Sequence, residues 1–345
     1  MKRSLLLVSV MSATAAAQAQ SSVSITGTVD LYAQHINGSL TDRSNVSSGG
    51  NSTSKLTFRG AEDMGGGLRA GFWLEAGISA DTGTGNATST NNQLSGVVPA
   101  GGLAFNRRSI VFLQSNWGEI HLGRDWAPSY ETYTSRFDVF GVGSGIGLNY
   151  TSSLNPLLVR VSNDAAYITP KFLGFSGQLH HWFGENPSGT PTSKDGTGDG
   201  IKLSYDMGPF GAVASFMRTE SAVGDIIFRN VGLIYSFGSV VLSGNVNHDQ
   251  QGGLKQEGAL LGARWTIGAG EVKGAYSYLR TSEANSPKGE KLALGYVYNL
   301  SKRTAVYTTV AHILNRGGSA LAIAGSTTAP GESSTGYDLG IRHNF

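Results

Sequence analysis

Three carboxylates, Asp125, Glu131 and Asp138, fall within residues 123–150, with only Arg124 and Arg136 as countercharges and a glycine-rich tail behind them. The stretch follows a short β-like run and is too long for a tight connection. In a water-filled bore such groups stay ionised, and their field orients dipolar solutes and biases ions without any bond being made. Other combinations carry less. His180 and His181 are adjacent, so in a strand they point to opposite faces and cannot share a metal. Met64-Gly65-Gly66-Gly67 precedes a strand, which makes it a turn and not a phosphate cradle. Ser, His and Asp are plentiful, but no Gly-x-Ser-x-Gly context marks a nucleophile. No basic, aromatic patch points to nucleic acid. No catalytic residue, cofactor or metal site is expected.

The chemistry therefore depends on the elements that would hold these charges. Lys2 and Arg3 precede a short apolar core over residues 5–17, and Ala17-Gln18-Ala19 puts small residues at the positions a signal peptidase reads. Residues 1–19 read as a secretory signal cleaved after Ala19, too short for a membrane anchor. The formal charge of +2 falls to near neutral once Lys2 and Arg3 leave. With no cysteine in the chain, disulfides and thiolate metal sites are excluded. No later run is long and apolar enough for a transmembrane helix.

Alternation of period two does run through the chain. Val23, Ile25, Val29 and Leu31 share one face, and Ser24, Thr26, Thr28 and Asp30 the other. Leu56 and Phe58 alternate with Lys55, Thr57 and Arg59, and Tyr337, Leu339, Ile341, His343 and Phe345 line one side of the last segment. Short turns fall near residues 116–118, 170–174, 207–209, 238–239, 268–270 and 300–303. Long polar loops are expected near 79–104, 125–156, 184–199, 218–228, 248–256, 280–289 and 315–333. The count gives about sixteen strands with both termini on the short-turn side, the asymmetry of an outer-membrane β-barrel. Its 49 glycines and 13 tyrosines suit turns and aromatic girdles. The fold class is all-β: a 16-stranded antiparallel transmembrane barrel over residues 20–345, with residues 125–156 folded into the bore. A soluble sandwich or propeller would alternate too, but would not need long and short connections in turn.

The chain resembles the trimeric general-diffusion porins of Gram-negative bacteria, in particular the β-proteobacterial branch. The likeness rests on residues 22–27, 54–67, 105–109, 117–119, 122–125, 294–304 and 340–345, in family order along the whole mature chain. It implies a homotrimer in outer-membrane lipid that passes small hydrophilic solutes and inorganic ions, and a third loop that narrows each bore. Carboxylates on that loop would face a basic ladder: Lys55 and Arg59 on the second strand, Arg108 on the fourth and Arg160 on the sixth. Alternation places all four on the inward face, Arg108 opposite in parity to Val111 and Leu113, and Arg160 opposite to Val161 and Tyr167. Four wall cations against Asp125, Glu131 and Asp138 suggest a mild anion preference. Phe137-Asp138-Val139-Phe140-Gly141 stands where many relatives carry a Pro-Glu-Phe-Gly-Gly type motif, so which acid faces the ladder stays open. A substrate-specific channel, with Trp126, Tyr130 and Tyr133 on the inner loop, and a barrel hydrolase are the alternatives.

Overall fold

The computed structural model describes residues 22–93, 102–141, 143, 145–152 and 159–345. The signal segment, residues 1–19, lies outside them, as do parts of two expected loops. Every strand pairing in the wall is antiparallel, and sixteen strands close on themselves. In chain order they are β1 Ser22–Asn37, β2 Lys55–Gly65, β3 Leu68–Ser79, β4 Arg108–Ser115, β5 Gly118–Trp126 and β6 Arg160–Ile168. Next come β7 Phe175–Trp182, β8 Gly198–Met207, β9 Phe210–Thr219, β10 Ile226–Phe237 and β11 Val240–Gln251. The last are β12 Leu254–Ile267, β13 Gly270–Thr281, β14 Lys288–Asn299, β15 Thr304–Arg316 and β16 Ser334–Asn344. Two short pieces, Arg43–Ser48 against β1 and Thr84–Gly85 against β3, extend the wall at its loop end.

Closure comes from β1 meeting β16, sealed at the foot by Gly27 and Phe345, whose backbone N–H and C=O groups exchange two hydrogen bonds of 3.0 Å. A closed barrel leaves no sheet edge, so every backbone group facing lipid finds a partner. The alternation is the one the sequence carries. On β12, Leu261 faces outward at 70% exposure, while its neighbour Leu260 is 2% exposed inside. Thr28 and Asp30 on β1 point inward and are buried, with Val23 and Ile25 outward.

The loop pattern differs from expectation on one side of the barrel. No long loop spans 248–256: β11 and β12 run on through those residues and are joined by Gly252 and Gly253 alone. Gly252 adopts φ +53°, a turn conformation that a side chain resists. The connections expected over 218–228 and 280–289 likewise shrink to 220–225 and 282–287. Polar residues such as Asn247 and Asp249 look like loop in sequence, yet face the wet interior of strands.

The segment after β5 does turn inward. A single helical turn, Glu131–Ser135, opens it, and the chain then lies along the inner wall of β8–β14. Asn245 donates to Thr132 O and Ser243 to Phe137 O, both at 2.7 Å. Tyr133 donates to Asp249 (2.5 Å), Asn247 to Thr151 O (2.8 Å), and Lys291 to Leu148 O. Phe137 is fully buried over Gly232, where a Cβ would come within 2.7 Å of its ring. The free bore is therefore left between this loop and the wall of β2–β7.

Candidate functional site

A cavity of about 260 Å³ opens between the start of the inner loop and the wall, lined by Arg59, Trp73, His121, Trp126, Tyr130 and Lys202 among others. The inward face of β3 supplies Trp73 and Glu75, and β2 places Arg59 across from Trp73 and Thr57 across from Glu75. The Arg59 guanidinium stacks 4.7 Å from the Trp73 ring and stays exposed, with no carboxylate partner among the described residues. Arg108 sits in the crook of two indoles, 4.5 Å from both Trp73 and Trp126, which meet edge to face. Tyr130 then stacks on Trp126 at 4.9 Å, so the rings pack on one another and tie the first turn of the loop to the wall. Tyr133 is buried against Phe228 and contributes nothing to the bore.

The acids around this cavity are each held by a base. Arg108 Nε and Nη2 lie 2.8 and 2.9 Å from the two oxygens of Asp125. His121 bridges Asp125 (2.6 Å) and Glu119 (2.5 Å) through its two ring nitrogens. Lys202 donates to Glu131 at 2.8 Å, and Arg136 pairs with Asp206. A second basic group gathers above, at the loop end of the wall. Glu75 meets Arg107 at 2.6 Å and Lys55 at 3.8 Å, and Arg160 donates to Arg107 O at 2.7 Å.

Three of the expected positions change. Asp125 is not on the loop: β5 extends to Trp126, and the carboxylate is buried on the wall itself as Arg108's partner. Asp138 is on the loop but beneath it, accepting from the backbone N–H groups of Phe140 and Asn149 and from the Asn149 amide. Burial pushes its carboxyl up to about 6 against those donors, and it props the loop instead of facing the bore. Of the three acids, Glu131 lines the cavity from the loop and Asp125 from the wall, and Asp138 does not line it. The third change is Val161. A bulge at Asn163 (φ +55°) shifts the β5–β6 register, so Val161, expected outward, is buried under the loop, while Arg160, paired with Trp126, stays beside Lys55, Glu75 and Tyr130.

Comparison with known proteins agrees with this architecture. The family model described as Gram-negative porin matches residues 6–318. The chain belongs to that family. It is 37% identical to outer membrane porin protein 32 of Delftia acidovorans, over the whole of both chains. An outer-membrane porin of Bordetella pertussis is 26% identical, again over both full lengths. Among solved structures, an anion-selective porin from Comamonas acidovorans superposes with a TM-score of 0.80 at 33% identity, covering 94% of this chain and 100% of that one.

This porin is thus an outer-membrane barrel for passive diffusion, in a family of channels and not of enzymes. Its sequence pattern held signals that went unread. Arg69, Gly71, Trp73 and Glu75 alternate with apolar residues on β3 and so announce Trp73 and Glu75 as lumenal. Lys202, between Ile201 and Leu203 on β8, carried the same signal, whereas Arg107 precedes its strand and gave none. The buried Arg108–Asp125 pair carries a prediction. Asp125→Asn leaves the guanidinium without its countercharge, which costs about 3–5 kcal/mol of barrel stability. The thermal unfolding temperature in detergent should drop, and the reversal potential of the surviving channels should move toward chloride. An unmoved reversal potential would mean that Arg108 is electrically silent in the bore.

Proposed function

We propose that this porin favours small anions as they diffuse through a bore narrowed by its inner loop, with Arg59 and Lys55 supplying most of the field. The observation that carries the reading is Arg59: an exposed guanidinium on the cavity wall, with no carboxylate partner among the described residues, while Asp125, Glu119 and Glu131 are each held by a base. Arg108 adds positive charge from a buried position, and Arg160 from beside Arg107. A fixed positive potential in a narrow aqueous passage raises the local concentration of anions and lowers that of cations. The 33%-identical Comamonas porin is described as anion-selective, which supports the same sign here. The working unit is a homotrimer in outer-membrane lipid, as the trimer form of a structurally similar Vibrio cholerae outer-membrane protein suggests. Residues 1–19 are the export signal, so the mature chain begins at Gln20. Single-channel recording under a KCl gradient should give stepwise conductance with a reversal potential on the chloride side. A reversal potential on the cation side would mean that Glu131 and Glu119 dominate, and would end the reading.

A further inference from the structure

The lipid-facing wall across β8–β13 is not smooth. Ala214, Gly244 and Ala259 stand among larger apolar side chains and leave two adjoining troughs, about 600 and 610 Å³, that share Val231 and Val246. The trough nearer the short turns is walled by Leu233, Tyr235, Leu242 and Leu261. The other rises toward the loop end and finishes at Arg229, His248, Glu257 and Tyr278.

Charge at that upper end is unbalanced. Arg229 faces outward with its guanidinium 5.8 Å from the Phe216 ring, and it has no carboxylate partner among the described residues. Lys255 and Arg280 are exposed on the same outward face, Arg280 directly across from Glu257 in register. His248 lies 3.9 Å from Glu257, leaving one carboxylate among three permanent cations. Cations pointing at lipid are costly unless they reach polar headgroups, so a row of them just below the loops marks the level of the outer headgroup layer.

An apolar trough that ends in unmatched guanidinium groups fits a ligand built the same way, an acyl chain carrying an anionic head. We propose that this face seats an outer-leaflet glycolipid with a phosphorylated headgroup, its chain in the trough over Gly244 and Ala259 and a phosphate on Arg229, with Arg280 and Lys255 beside it. Arginine binds phosphate in a fork geometry that lysine and histidine do not offer, and the adjoining cations add to the attraction.

The test uses the porin purified in detergent and incubated with lipid A, either carrying its phosphates or dephosphorylated, with bound lipid per barrel read by native mass spectrometry. The phosphorylated form should be retained about thirtyfold more strongly, the preference expected of two surface cations. Arg229→Glu combined with Arg280→Glu should erase that preference. Ala259→Phe should lower retention of both lipids by filling the trough. Both variants should keep the parent's conductance, since none of these residues faces the bore. Equal retention of the two lipids, or a preference that survives the double charge reversal, overturns the proposal. So does dissociation of the native oligomer by Ala259→Phe, which would assign the face to a second copy of the chain.

Discussion

Arg59→Glu should turn this porin from anion-preferring to cation-preferring. The exchange alters the fixed charge by two units at a point where the guanidinium stacks on Trp73 and lines the cavity. In water, two charge units about 6 Å from a permeating ion are worth about 1.4 kcal/mol, a tenfold change in each ion's local concentration before screening. At physiological ionic strength the Debye length of about 8 Å exceeds that distance, so roughly a threefold to fivefold shift survives. The new carboxylate would also lie near Glu119, whose partner His121 is shared with Asp125, so nothing close by neutralises it fully. The measurement is the reversal potential under a KCl gradient, repeated at high salt, where the effect should shrink. Arg59→Ala should give about half the shift. If Arg59→Glu left the permeability ratio unchanged, the field would have to come from the group around Glu75, and Lys55 and Arg107 would become the determinants.

What was legible beforehand follows from what local sequence can encode. A strand with one face in lipid and one in water must alternate, so Val23 to Leu31 and the segment closing on Phe345 announced both the wall and its inward face. Lys55, Arg59 and Arg108 could be placed inside for the same reason. Parity fails where a strand slips register, and Val161 reads as outward because the bulge at Asn163 has no signature in a run that keeps alternating. Pairing across strands is not local at all. That Asp125 answers Arg108, or Lys202 answers Glu131, depends on the register of hairpins and on where a loop lands, and neither is written at those positions. The polar run ending β11 illustrates the reverse error. Water on one side of the wall makes Asn247 and Asp249 good strand residues here, although in a soluble sheet they would mark a loop.

Phe137→Ala should loosen the inner loop and widen the channel. The loop bends over Gly232 because only a residue without Cβ leaves room for the Phe137 ring, which is fully buried there with the Arg136 guanidinium 5.4 Å from it. Truncating a buried Phe costs about 3–5 kcal/mol, more than any one of the hydrogen bonds that hold the loop to β11, each worth about 1 kcal/mol. The undocked loop, rare in the parent, should thus become about a hundredfold more populated or greater, at a factor of ten per 1.4 kcal/mol. Barrel stability should be nearly untouched, because the wall strands pair with one another and not through the loop. Single-channel traces should then flicker to higher conductance, and liposome swelling should quicken most for the larger neutral sugars. Gly232→Leu attacks the same contact from the wall side and should act in the same direction, while Val139→Ala, on the same loop over Gly262, should do less. If both Phe137→Ala and Gly232→Leu gave quiet channels of the parent's size, the bonds from Tyr133, Ser243, Asn245 and Asn247 would be sufficient anchors. The ring would then fill space without holding the loop, and the bore's width would be set by the polar face of β11.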